Sequence, residues 1–147
     1  MPHYRRPGWF TKHIFNGIVA LATRLGISVW GSRVLWVKGR KTGDWHSTPV
    51  NLLNFDDGSL YLVAPRGETQ WVRNLRAVGS GELALGRRKK PFRAIEVQDE
   101  SKAPILRAYL RRWKVEVGIF FQGVSATSTE EEVQRIAALH PVFRILQ

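Results

Sequence analysis

Short runs of apolar and β-branched residues alternate with turn residues along the middle of the chain. Five runs have the length and composition of β-strands, and they are Arg33 to Lys38, Ser47 to Asn54, Ser59 to Val63, Glu82 to Leu85 and Phe92 to Val97. The segments that separate them, Gly39 to Gly43, Asp56 to Gly58 and the basic Arg87 to Lys90, are typical of hairpin turns. Five strands so closely spaced predict an antiparallel meander that closes into a small barrel.

Helical spacing of apolar residues predicts four helices around these strands. They are a helix over residues 11–25, a short helix from Glu68 to Ala77, a helix that begins at Ser101 and a helix that begins after Thr129. Thr129 and Glu132 together have the pattern of a capping box. Lys114 to Phe121 fits a strand and a loop equally well and stays unassigned. The whole pattern predicts one α+β domain over residues 1–147, mainly β with flanking helices.

Composition and charge narrow the range of partners. The 147 residues are 44% apolar and 24% charged, as in a globular domain. Lys and Arg number 23 against 12 Asp and Glu, and the formal net charge of +11 attracts anions. Three kinds of anionic partner fit this charge: a phosphorylated cofactor, an acidic membrane surface and nucleic acid. The absence of cysteine excludes disulfides and thiolate chemistry, and it fits a cytoplasmic protein.

The predicted N-terminal helix has two interpretations. Its apolar run, Ile14 to Leu25, is too short and too interrupted by polar residues to span a bilayer, and no signal-peptide cleavage site follows it. The helix can pack one apolar face against the domain. Alternatively, it lies on a membrane surface as a basic amphipathic segment, with Trp9 and Phe10 as interfacial anchors.

Side chains arranged for catalysis are missing from the sequence. The four histidines stand singly, without the spacing of metal ligands, so no metal site is predicted. Ser80 does not lie in a G-x-S-x-G motif, and the paired carboxylates fit turns and helix starts. No catalytic side chain is therefore predicted, and an enzyme of this kind takes its reactive group from a bound organic cofactor.

Two segments have the features of an anion-binding site. Lys38 to Gly43 joins two strands and brings three cations, a hydroxyl and two glycines whose N–H groups can approach an anion. Ala64 to Trp71 leaves a strand and opens a helix, which presents free backbone donors beside Arg66. The first segment can instead be a solvated turn. The second can instead be a plain strand-to-helix connection, with Glu68 as the complement of the helix dipole.

Three motifs in this order and spacing resemble the deazaflavin-dependent nitroreductase family. They are Gly39 to Gly43, Ser47 to Pro49 and Trp71 to Arg76, with support from the closing His140 to Ile145. The resemblance extends from about Val34 to Val97. It implies a split β-barrel, like that of FMN-binding proteins, that binds coenzyme F420, a 5-deazaflavin whose tail carries a phosphodiester and several glutamates. It also implies an oxidoreductase of the nitroreductase or quinone reductase type.

Carried over position by position, the resemblance implies the residues of the coenzyme site. They are Lys38, Arg40, Lys41, Thr42, Gly43, His46, Thr48, Pro49, Val50, Ala64, Arg66, Gly67, Trp71 and Asn74. Within this set Arg40, Lys41 and Thr42 would contact the phosphate and the acidic tail, and the strand from Thr48 to Val50 would lie along the ring. His46 stands where the family commonly has arginine, which implies a weaker or pH-dependent phosphate clamp.

The implied reaction is transfer of a hydride from the reduced deazaflavin to a small electrophile, such as a quinone, a nitro compound or an activated alkene. Aromatic candidates for the acceptor side are Trp9, Phe10, Tyr109, Trp113 and Phe120, each with packing in the core as the alternative. Two other functions stay open, an FMN-dependent reductase of the same barrel class and a basic nucleic-acid-binding barrel. No recognised nucleic-acid motif accompanies the charge, so no nucleic acid is expected. A monomer and a homodimer fit equally well.

Overall fold

The computed structural model describes residues 32–117, 121 and 123–147. Six strands lie in this part of the chain, and they are β1 (Ser32–Lys38), β2 (Trp45–Asn54), β3 (Leu60–Val63), β4 (Ser80–Leu85), β5 (Arg88–Glu96) and β6 (Val142–Leu146). They form a closed barrel in the order β1-β2-β3-β6-β5-β4, and every pairing is antiparallel. The predicted barrel with flanking helices is confirmed.

Three α-helices accompany the barrel in the described residues, and they are α1 (Gln70–Val78), α2 (Ala103–Val117) and α3 (Glu130–Arg135). The predicted capping box begins α3, since Thr129 Oγ1 accepts the Glu132 N–H at 3.2 Å and the Glu132 carboxylate accepts the Thr129 N–H at 3.1 Å. Helix α2 continues to Val117, so the first part of the unassigned segment is helical. No helix in the described ranges is long and apolar enough to cross a membrane.

Some sequence predictions lie outside the described residues. These are the helix over residues 11–25 and the aromatic candidates Trp9, Phe10 and Phe120. The single domain over residues 1–147 therefore remains a prediction.

Alternating side chains of the strands fill the barrel interior. Residues on one face of each strand, and the inner face of α1, pack into a single cluster. Its buried members are Leu35, Val37, Leu52, Leu62, Ala64, Val72, Leu75, Leu83, Phe92, Phe143 and Ile145. Val72 and Leu75 belong to α1, so this short helix covers the interior of the barrel.

A second core lies on the outer side of the barrel wall. Strand residues of the opposite parity, Leu53, Val63 and Val142, pack there with the apolar faces of α2 and α3. Adjacent residues of β2 therefore serve both cores, because Leu52 points inward and Leu53 points outward.

The strand prediction needed two corrections. The barrel is closed by a sixth strand, β6, which lies beyond the predicted limits of about 33–97 and pairs with β3 and β5. The predicted basic turn Arg87 to Lys90 is wrong, because Leu85 pairs with Arg88 across a turn of only Gly86 and Arg87. Gly86 has a φ of 64°, which a two-residue hairpin turn requires and glycine adopts readily.

The antiparallel order places the two predicted anion-binding segments at one end of the barrel. Strand β1 is antiparallel to β2, and β2 to β3, so β1 and β3 run in the same direction. The turn after Lys38 and the loop after Val63 therefore leave the barrel at the same end. The β4–β5 turn lies at the opposite end, since Val34 pairs with Ala84 on an antiparallel strand.

Candidate functional site

The turn between β1 and β2 is held by its own backbone. The Gly39 N–H donates to the Asp44 carbonyl at 2.7 Å, and the Gly43 N–H donates to the Gly39 carbonyl at 2.9 Å. Thr42 Oγ1 accepts the Asp44 N–H at 3.2 Å, and Gly43 has a φ of 78°, which favours glycine. The turn thus presents its cationic side chains from a fixed loop.

Arg40 joins this turn to α1. Its backbone N–H donates to Asn74 Oδ1 at 3.1 Å, and its Nη1 donates to the same oxygen at 2.7 Å and to Gln70 Oε1 at 3.0 Å. Within the described residues, its Nε and Nη2 have no hydrogen-bond partner. The guanidinium is therefore anchored beside the first residue of α1, and its remaining N–H donors can bind a ligand.

The N-terminus of α1 has the character of an anion site. Thr69 is the N-cap residue, but its side chain makes no capping bond, and the first turn of the helix contains no acidic residue. Thr69 Oγ1 is buried and lacks a hydrogen-bond partner among the described residues. Glu68, the expected complement of the helix dipole, instead forms an ion pair with Arg76 at 2.6 Å. The amides of the first turn and the positive end of the dipole remain available for a ligand.

Among the described residues, no carboxylate forms an ion pair with the cations of the turn. In the part of the chain that the structure describes, the carboxylates within salt-bridge distance of a cation pair with Arg76 and Lys102, not with Lys38, Arg40 or Lys41. Lys38 places its Nζ 5.3 Å from the ring centre of Trp45, which is an exposed indole. A positive field therefore surrounds the turn.

Strand β2 presents alternate residues to this end of the barrel. Thr48 pairs with Leu35 and shares the inner face with Val50, which packs against the inner core. Pro49 pairs with Val34 and lies on the opposite face, so the structure does not bring its side chain together with those of Thr48 and Val50. Trp71 of α1 packs against the same inner core, with its ring centre 6.1 Å from that of Phe143.

The loop after β3 contributes backbone more than side chains. Ala64 is buried in the inner core at 1% exposure, and its N–H donates to the Pro141 carbonyl at 2.9 Å. Gly67 is buried with a φ of 85°, and its N–H donates to the Ala64 carbonyl at 3.2 Å. Arg66 is half-buried between them. Ala64 and Gly67 thus shape the approach to α1 and do not present side chains to a ligand.

His46 lies close to the backbone of the turn. A Cβ added at Gly39 would lie 3.0 Å from His46 Nε2 and 3.2 Å from Thr42 Oγ1. Glycine at this position therefore lets the imidazole and the threonine hydroxyl approach the main chain of the turn. His46 is exposed and lies near Thr42, on the same side of Gly39.

The sequence prediction missed one member of the site. Gln70 holds Arg40 together with Asn74, and the two residues stand four positions apart on α1. Residues four apart lie on the same face of a helix, and this spacing was the available signal.

Two aromatic candidates for the acceptor side belong instead to the outer core. Tyr109 and Trp113 are each 2% exposed, and their ring centres are 4.9 Å apart. The alternative of core packing is correct for both. A groove of about 400 Å³ lies on the outer wall between β3, β6 and the start of α2. None of the predicted coenzyme residues lines it.

The fold and the candidate site together define a closed barrel with an anchored, cationic end formed by the β1–β2 turn and α1. The profile of the family described as F420H(2)-dependent quinone reductase matches residues 16–128. The chain therefore belongs to the F420H(2)-dependent quinone reductase family. It is an F420-dependent oxidoreductase, and coenzyme F420 is its cofactor, as the resemblance implied.

Solved structures share the fold. An F420-H2 dependent reductase, FDR-A, superposes with a TM-score of 0.56 at 15% identity, over 78% of this chain and 93% of that one. A protein described as a domain-swapped dimer gives 0.57 at 16% identity, over 95% and 99%. Atu2129 of Agrobacterium tumefaciens str. C58, of unknown function, gives 0.56 at 15% identity, over 99% and 58%. A comparison with curated proteins finds no match.

The residues at this end of the barrel fit the cofactor. F420 carries its negative charge on a phosphodiester and glutamate tail, and Arg40, Lys41 and the uncapped start of α1 offer donors and positive charge for it. The unpartnered hydroxyl of Thr69 is a further polar group at the same helix end.

Proposed function

We propose that the chain reduces a small hydrophobic electrophile with F420H2, and that its acceptor is a quinone, a nitro compound or an activated alkene. The observation that carries the proposal is the anchoring of Arg40 on Asn74 and Gln70, which builds one binding site from the β1–β2 turn and α1. When bound, the reduced 5-deazaflavin supplies a hydride from C5 of its ring.

In this reaction the protein positions the coenzyme and the acceptor. Arg40, Lys41 and the Thr42 hydroxyl hold the anionic tail, and Arg40 loses little freedom on binding because it is already anchored. Thr48 and Val50 of β2, with Trp71 of α1, form the side of the site that faces the inner core and exclude water from the ring. A positioned donor and acceptor react without a catalytic side chain, and solvent or a nearby hydroxyl supplies the proton.

Following the absorbance of F420H2 tests this proposal directly. The purified protein is mixed with the reduced coenzyme, with and without menadione or a nitroaromatic acceptor. Acceptor-dependent oxidation of the coenzyme is expected. Binding of the coenzyme without turnover of any acceptor would instead identify a carrier, and a yellow protein with a flavin spectrum would favour the FMN-dependent alternative.

Removal of the Asn74 amide tests the anchoring of Arg40. Asn74→Ala removes the acceptor of two Arg40 hydrogen bonds, and hydrogen bonds to charged groups are worth about 1.5–3 kcal/mol. We expect the affinity for oxidised F420, measured by fluorescence titration, to fall roughly 10-fold or more. Gln70→Ala removes only one exposed contact and serves as the milder control. Equal affinities of Asn74→Ala and the wild type would contradict the anchoring role.

We also propose that the chain forms a homodimer in the cytoplasm. Support for the dimer is the likeness to a protein described as a domain-swapped dimer, and support for the location is the absence of cysteine. Analytical ultracentrifugation across a range of concentrations tests the dimer, and a species of 16.8 kDa throughout would contradict it.

Contact with a membrane surface through the N-terminal segment is a separate proposal, supported by Trp9, Phe10 and the basic residues of that segment. Cosedimentation with vesicles that contain anionic phospholipid tests it. Trp9→Ser with Phe10→Ser is expected to reduce the bound fraction, and an unchanged fraction would remove the proposal.

A further inference from the structure

A three-residue ion cluster lies beside the proposed coenzyme site. Arg76 Nη1 contacts Glu68 Oε1 at 2.6 Å, and its Nε and Nη2 donate to the two oxygens of Glu96 at 2.7 and 2.8 Å. These hydrogen bonds, first those that Glu96 accepts and then the one that Glu68 accepts, raise the pKa of Arg76 above its ordinary value. One guanidinium thus pairs with two carboxylates, and the cluster is called the Arg76 cluster below.

The Arg76 cluster contributes little to the stability of the fold. The side chains of Arg76, Glu68 and Glu96 are exposed to 39%, 37% and 34%. Ion pairs this exposed are screened by solvent and are worth little. The position of the Arg76 cluster points to a role at the start of α1, because Glu68 directly precedes Thr69, the N-cap of this helix.

A free carboxylate at Glu68 would compete for the start of α1. Acidic side chains favour helix N-termini, where unpaired amides and the positive end of the dipole attract them. Neither a capping bond from Thr69 nor an acidic residue in the first turn occupies this end of α1. The ion pair with Arg76 instead holds the Glu68 carboxylate against a residue in the last turn of the helix.

We propose that Arg76 is a positioning residue for coenzyme binding, which holds Glu68 away from the N-terminus of α1 so that the phosphodiester tail of F420 binds there beside Arg40. The proposal rests on the proposed function. Arg40 identifies the tail as the affected group, because its guanidinium donates to Gln70, the first residue of α1. Arg76 itself does not touch the coenzyme in this arrangement and acts only through Glu68.

Four variants test the Arg76 cluster, with affinity for oxidised F420 measured by fluorescence titration at low ionic strength. Arg76→Gln releases Glu68, and we expect the affinity to fall about three- to tenfold, as one carboxylate near an exposed helix end would cause. Glu68→Gln alone should leave the affinity within about twofold of the wild type, and Arg76→Gln with Glu68→Gln should restore it to that range. Glu96→Gln is the matched control, since it breaks the cluster but leaves Glu68 paired.

Two further measurements separate this role from a structural one. The melting temperature of Arg76→Gln should change by no more than about 3 °C, because the ion pairs are exposed. A deazaflavin chromophore that lacks the phosphodiester tail should bind Arg76→Gln and the wild type equally well. The loss for F420 should also shrink as salt is added, because salt screens charge repulsion.

Several results would overturn the positioning role of Arg76 and leave the proposed function intact. They are an unchanged affinity in Arg76→Gln, a double variant that stays as weak as Arg76→Gln, and a loss in Glu68→Gln as large as that in Arg76→Gln. A loss for the tail-less chromophore as large as that for F420 would also overturn it. Failure of the wild-type protein to bind F420 would instead overturn the proposed function, and the inference with it.

Discussion

Reversal of charge at both Arg40 and Lys41 is expected to lower the affinity for oxidised F420 by about 100-fold at low ionic strength. Two charge-assisted contacts to the tail, each worth about 1.5–3 kcal/mol, are lost, and repulsion replaces attraction. Arg40→Glu also gives up the hydrogen bonds to Asn74 and Gln70 that build the site. Fluorescence titration of the coenzyme measures the effect, and the gap from the wild type should narrow as salt shortens the range of the charges.

A second double reversal provides the matched control. Arg87→Glu with Lys90→Glu changes the net charge of the protein by the same amount. Both residues are exposed, and Arg87 lies in the turn at the opposite end of the barrel while Lys90 is the third residue of β5 after that turn. At an ionic strength of about 0.1 M the affinity of this variant for F420 should remain within about threefold of the wild type, because the Debye length there is about 10 Å and distant charges are screened. Equal losses in both double variants would show that net charge, not the β1–β2 turn, attracts the coenzyme.

Truncation of Phe143 is expected to have the largest effect on stability. Phe143 is 1% exposed on β6, lies in the inner core and contacts the ring of Trp71. Phe143→Ala removes a large buried side chain and leaves a cavity, so the free energy of unfolding should fall by about 3–5 kcal/mol. Urea denaturation followed by tryptophan fluorescence measures the loss.

The neighbouring strand residue gives the control for this prediction. Arg144 is exposed on the outer face of β6, so Arg144→Ala should change the free energy of unfolding by no more than about 0.5 kcal/mol. Phe143→Leu keeps most of the buried volume and should lose less than Phe143→Ala, which keeps the test informative if the alanine variant does not fold. A loss in Phe143→Ala of under about 1 kcal/mol would show that the closing strand is not integral to the core.

Local patterns in the sequence predicted most of the strands, because each hairpin joins neighbours along the chain. The sixth strand escaped prediction for the opposite reason. Val142–Leu146 pairs with β3 and β5, both far away in the sequence, and no turn beside it signals those pairings. The turn of the β4–β5 hairpin was misplaced because four successive cations resemble a loop, although Arg88 to Lys90 continue the strand and Gly86 makes the turn.

The candidate site could be predicted from the sequence only where it depends on local chemistry. The glycines, the cations and the helix start that follow the strands were all visible as local chemistry. The hydrogen-bond partner of Arg40 could not be predicted, because Asn74 lies 34 positions away in the sequence and contacts it only in the folded barrel. The ion pair of Glu68 could not be predicted either. The sequence suggested that its carboxylate complements the dipole of the helix, but in the folded protein the carboxylate pairs with Arg76.

The wall of the barrel separates two cores. Leu52 and Leu53 send consecutive side chains into different cores, so a single sheet lies between the outer core, which includes residues of α2 and α3, and the inner core, which includes residues of α1. Substitutions in the outer core therefore change side chains on the other side of this sheet from Val72 and Leu75 of α1. We expect such substitutions to leave the hydrogen bonds between Arg40 and α1 intact.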